Sequence, residues 1–218
     1  MKQFDFYEFT GILTPGALFL AGLVYLWPEA ARIDSFKDLS VGGLGIFVLL
    51  AYVAGHLVQT VGNMIEWVWW KMLGGMPTDW IRSGKKDLLA SAQSQKLRLV
   101  IQERLGLSLP ENLSDLTSGA WYGVTRQVYA AVAGAGRATR IDTFNGNYGL
   151  HRGLFAAALL VAGLSLIVPA ASKFTTALLV GVAALASFRM HRFAKHYARE
   201  LFVQFLQLPP ADVPKEKN

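Results

Sequence analysis

At 218 residues the chain has room for one ordinary domain or a small bundle of membrane helices. Hydrophobic residues make up 53% of it and charged residues 17%, against about 25% charged in soluble domains, and the mean hydropathy is +0.33. With no cysteine it can hold neither a disulfide nor a cysteine metal site, and the formal net charge of +6 matters through where the basic residues fall.

The N-terminal Met1 to Glu8 carries Lys2 but also Asp5 and Glu8. It lacks the basic n-region and small-residue cleavage site of a signal peptide, so the first apolar run is expected to be a retained helix. That run is Phe9 to Trp27, interrupted only by Pro15-Gly16. Proline removes a backbone N–H and bends a helix. The pair either kinks the span or marks its true start, with the preceding residues in the interface, and the second account is preferred. The next run, about 41–63, completes a first transmembrane hairpin over 1–71. Trp67, Trp69, Trp70 and Lys71 come directly after it, suited to headgroup depth.

Residues 72–150 read as a helical domain. Gly74-Gly75-Met76-Pro77 is a turn, with Thr78 or Asp79 as the N-cap of the next helix. A helix is expected from Lys86 to Leu105, ended by Gly106 and Pro110. Ser114 caps another from Asp115 to about Ala133, and Gly134-Ala135-Gly136 breaks it. Arg137 to Leu150 then runs into the third span, about 153–171. The fourth span, about 174–188, continues as a basic helix to Leu208, so 151–208 forms a second hairpin with a basic extension. Pro209-Pro210 stops that helix, and residues 209–218 are expected to be disordered.

None of the four runs contains a charged residue; the first three are close to the roughly 20 residues a span requires, and the fourth, short on its own, is extended by the helix that continues from it. The fold class is therefore an all-α membrane protein, four transmembrane helices with a cytoplasmic helical insert between the second and third. Its orientation follows the basic residues. Arg32, Lys37 and Lys173 fall on one side, and the other 18 lysines and arginines fall on the opposite side, with both termini and the insert.

The second span carries the most informative pattern. Tyr52, His56, Gln59, Asn63 and Glu66 are spaced 4, 3, 4 and 3, which places all five within an arc of roughly 80° on a helix. Polar groups at that depth are costly facing lipid. They line a pore or polar cavity, or they hold the bundle together by hydrogen bonds worth about 0.6 kcal/mol each. Arg189, Arg192, Lys195 and Arg199, interleaved with aromatics, fit contact with anionic lipid headgroups better than nucleic acid. Catalysis has little support: the four histidines are scattered, and no nucleophile, P-loop, metal-ligand or paired-carboxylate motif occurs. No enzyme activity, cofactor or metal is expected.

Three segments carry a resemblance: TPGALFL (Thr14 to Leu20), AYVAGHLVQTVGN (Ala51 to Asn63) and FNGNYGLHRGLF (Phe144 to Phe155). They resemble a pattern in small four-pass bacterial inner-membrane proteins associated with antiphage defence, such as the membrane component of the Kiwa system. The resemblance implies an oligomeric inner-membrane effector that perturbs the membrane or conducts ions when triggered, with a cytoplasmic protein partner from the same operon. The alternative is a membrane-anchored sensor or scaffold that recruits such a partner without a pore. For the topology, reporter fusions at the N-terminus, residue 100 and the C-terminus are expected to report cytoplasm, and fusions at residues 33 and 172 the opposite side. A periplasmic signal at residue 100 contradicts the orientation.

Overall fold

The computed structural model describes residues 6–29, 41–84, 87–169 and 171–209. The expectations for Lys2, Arg32, Lys37 and the tail beyond residue 209 lie outside the described residues, while the helix expected from Lys86 begins only at Ser91, with Ala90 at its N-cap. The described residues are helical, with no strand among them. The helices are α1 (Phe6–Leu26), α2 (Val41–Met72), α3 (Pro77–Ser83), α4 (Ser91–Leu105), α5 (Ser118–Gly134), α6 (Thr139–Ser165) and α7 (Lys173–Leu206). Four of them, α1, α2, α6 and α7, are long and apolar enough to cross a membrane.

Several boundaries differ from the sequence expectation, each for a local reason. Helix α1 runs through Pro15 without ending, so the proline does not start the span. Pro15 and Gly16 are both buried. A Cβ on Gly16 would overlap the Ala51 carbonyl, and one on Gly55 would overlap that of Ile12. This Gly-on-Gly crossing lets α1 and α2 approach backbone to backbone. In α3, Pro77 takes the first helical position after Met76. The Asp79 carboxylate accepts from the Met76 N–H at 3.2 Å, acting from the first turn rather than as the cap. Helix α5 starts at Ser118 because Thr117 Oγ1 accepts from the Ala120 N–H at 3.2 Å. Ser114 lies instead in a 3₁₀ turn, Leu113–Asp115.

The chain divides into two compact units, Met1–Lys71 with Asn145–Phe193 and Met72–Phe144 with Ala194–Asn218. In the first, Val58 of α2 and Ala156 and Ala157 of α6 form a core, with Leu18 and Phe19 of α1 packed against it. The alanines make this a core of short side chains and close helices.

The second unit has a conventional apolar core. Leu97 and Ile101 of α4, Trp121, Val128 and Val132 of α5, Ile141 of α6 and Leu201, Phe202 and Phe205 of α7 are buried together. Trp121 and Phe202 stack with centroids 5.5 Å apart, and the Trp121 indole N–H donates to the Thr78 carbonyl at 2.9 Å. Arg104 and Arg137 donate to the Phe205 and Gln207 carbonyls at 2.9 and 3.0 Å, capping the C-terminal end of α7 where cations are favoured. Tyr129 donates to Asp142 at 2.7 Å. That bond to a carboxylate, then burial, pushes the phenol pKa up to about 12. The end of α7, expected as the continuation of a basic helix with interleaved aromatics, supplies Leu201, Phe202 and Phe205 to a buried core.

Candidate functional site

The polar row of α2 divides along its length. Gln59 and Glu66 are half-buried, whereas Tyr52, His56 and Asn63 are exposed. The division follows from helix geometry: at about 100° per residue, Gln59 and Glu66 lie to one side of Tyr52 and His56 and Asn63 to the other. The first side borders the buried face of α2, where Val58 is 1% exposed. The second borders an exposed face bearing Leu49, Val53 and Trp67.

On the buried side the organising residue is Arg152 of α6. Its guanidinium pairs with the Glu66 carboxylate and donates from Nε and Nη2 to Gln59 Oε1 at 3.3 and 3.1 Å. Its stem runs past Gly62, whose absent side chain leaves 3.4 Å to the Arg152 Cγ from where a Cβ would stand. The ring of Tyr148, one turn earlier on α6, lies 5.8 Å from the guanidinium carbon, and its hydroxyl accepts from the Trp70 indole at 2.8 Å. Trp70 in turn stacks on His191 of α7, centroids 5.4 Å apart. The sequence pattern alone marks Arg152 only as a flanking cation. The signal for its role is a lone acid at the C-terminal end of one span and a lone base at the edge of another.

Gln59 carries this network to α1. Its Nε2 donates to the Gly11 carbonyl at 2.7 Å and to the Gly149 carbonyl of α6 at 3.1 Å. A Cβ on Gly153 would come within 2.6 Å of both Gln59 Nε2 and Pro15 Cγ, so glycine at 153 leaves the room that proline and carboxamide both need.

On the exposed side, Tyr52 stacks on Phe9 with centroids 6.0 Å apart. His56 sits edge-on to Tyr52 at 4.8 Å. Thr60 turns its hydroxyl back to the His56 carbonyl at 3.0 Å, leaving the His56 ring and the Asn63 carboxamide as the strongly polar groups of this face. Of the basic residues on α7, Arg189 and Arg192 lie over Phe193 and Phe188 at 4.9 and 5.8 Å. Arg199 donates from Nε to the Leu88 carbonyl at 3.0 Å, and Lys195 is half-buried. No group of three or more histidines or acids that could hold a metal occurs among the described residues.

No protein-family model, curated protein or solved structure matches the chain.

Arg152 is bound to two residues of α2, so its replacement leaves Glu66 an unpaired, largely buried charge. Arg152→Ala is expected to cost on the order of 2–3 kcal/mol. Arg152→Lys keeps the charge but loses the planar fork that reaches Gln59 and Glu66 together, and should fall in between. Glu66→Lys sets two cations face to face and should be at least as damaging as Arg152→Ala. Melting of the purified variants in mild detergent checks the order. An unshifted Arg152→Ala contradicts the structural role of the pair.

Proposed function

We propose that this chain is an oligomeric effector of the bacterial inner membrane that conducts ions or breaches the permeability barrier when triggered. One observation carries the reading: His56 and Asn63 stand exposed on a spanning helix among the exposed apolar side chains of Leu49, Val53, Leu57, Met64 and Trp67, where polar groups facing lipid are costly. An Asn carboxamide donates and accepts, and so does a neutral imidazole. Copies arranged about an axis along this face would therefore satisfy each other and enclose a polar path. Tyr52 borders the path, while Gln59 and Glu66 support it from behind rather than lining it.

The wider setting follows the sequence. The excess of basic residues favours a cytoplasmic position for both termini and for the segment between α2 and α6, where Arg189 and Arg192 meet anionic headgroups and Lys195 and Arg199 add charge. The resemblance to antiphage membrane proteins makes phage infection the trigger class, sensed through a cytoplasmic partner from the same operon. A second reading, a membrane-anchored scaffold without a pore, is favoured by the hydrogen-bonded state of Gln59 and Glu66. Tyr122 and Leu99, 66% and 56% exposed in the second unit, would offer it a docking surface.

The two readings separate on His56→Leu/Asn63→Leu in cells carrying the protein with its neighbouring genes. A dry path resists ions, so the variant should reach wild-type levels, melt normally in detergent and fail to depolarise the membrane. Native mass spectrometry of the wild type should show more than one copy. Full depolarisation by the well-folded variant, or a strictly monomeric wild type, contradicts the effector and leaves the scaffold.

A further inference from the structure

In an α-helix the carbonyl of residue i accepts from the N–H of residue i+4. For Gly11 that residue is Pro15, which has no N–H. The Gly11 carbonyl is therefore orphaned inside a segment apolar enough to cross a membrane, where an unsatisfied backbone group has no water to turn to. Gln59 Nε2 donates to this carbonyl at 2.7 Å. We propose that the Gln59 carboxamide of α2 is the surrogate for the amide proton that Pro15 lacks, and that it latches α1 in its closed position. The gating half of this inference rests on the conduction reading above.

The carboxamide is fully employed. One amide proton serves Gly11 and the other Gly149, and Oε1 takes two bonds from Arg152. One side chain thus ties α1, α2 and α6 at a single point, and Arg152 fixes which way its oxygen faces. In this arrangement Gln59 has nothing left to offer water or an ion. Release from Gly11 would do two things at once. It would free α1 to bend at Pro15, where no i to i+4 bond resists, and it would let the carboxamide turn toward His56 and Asn63, which lie within about 60° of it around the helix. The steric fit of Pro15 and Gln59 against Gly153 makes proline and glutamine a matched pair whose members act together.

A double-mutant cycle over Pro15→Ala and Gln59→Leu tests this, read by melting in detergent and by depolarisation in cells. Gln59→Leu alone should lower the melting midpoint by several degrees and make cells leak without a trigger. Pro15→Ala returns an N–H to Gly11, so adding it to Gln59→Leu should recover most of the lost midpoint and suppress the leak. Additive midpoints overturn the surrogate bond, whether or not the protein conducts. Strong coupling in the midpoints with no leak from Gln59→Leu, in a protein whose wild type depolarises on trigger, overturns the latch. A wild type that never depolarises sinks the conduction reading and the gating built on it, while the midpoints still decide the bond. Should Pro15→Ala not fold, Gln59→Met answers the same question: it keeps the length of glutamine and has no proton for Gly11. It should melt as low as Gln59→Leu, and a native midpoint for it overturns the surrogate.

Discussion

A buried carbonyl without its amide, in the early turns of a helix apolar enough to cross a membrane, is the constraint from which the first unit's arrangement follows. Pro15 creates it, and water cannot relieve it. The answer has to come from a neighbouring helix near enough to reach backbone with a side chain. Gly16 against Ala51, Gly55 against Ile12 and Gly153 against Pro15 supply that nearness. Gln59 supplies the proton. Its own oxygen then requires donors, which Arg152 provides, and the Arg152 charge requires a counter-ion, which is Glu66. Each polar group placed in the bundle calls for the next, and the series ends at the C-terminal end of α2, where Trp70, Tyr148 and His191 close the network.

The same chain of requirements explains why the row on α2 does not act as a unit. Five polar residues within one arc suggest a single lining, but the arc is wide enough for its two edges to meet different neighbours. Gln59 and Glu66 fall on the edge that α1 and α6 cover. His56 and Asn63 fall on the exposed edge. The proposed function draws on the second edge and the latch on the first, so packing and conduction need not compete for the same residues.

Much of this was legible in the sequence. Four uncharged apolar runs announced four helices long and apolar enough to cross a membrane, and the longer helical extent of α6 and α7 around the third and fourth runs followed from uninterrupted helical composition. Pairings between distant residues were not legible. Pro15 reads as a start signal because its cost is visible locally, while its remedy sits 44 positions away in Gln59. Arg152 reads as one cation among many for the same reason. The end of α7 misleads differently: Arg189, Arg192, Lys195 and Arg199 draw attention to charge, while Ala194, Ala198, Leu201, Phe202 and Phe205 run down the same helix as a buried stripe. In the middle segment Thr117 and Ser114 are equally good caps by residue type, and only the fold chooses between them.

The split of α2 into a sealed edge and an open edge is the claim on which the rest stands, and the absence of native cysteine gives direct access to it. Single cysteines at 56, 58 and 63, which leave the Gln59 carboxamide in place, can be challenged with a membrane-impermeant thiol reagent in cells held closed and in cells depolarised by the protein. The account predicts that positions 56 and 63 react on depolarisation, and that position 58, 1% exposed in the structure, is unreactive in the closed state. Reaction at 58 in the closed state as fast as at 63, or protection of both 56 and 63 in depolarised cells, would contradict it.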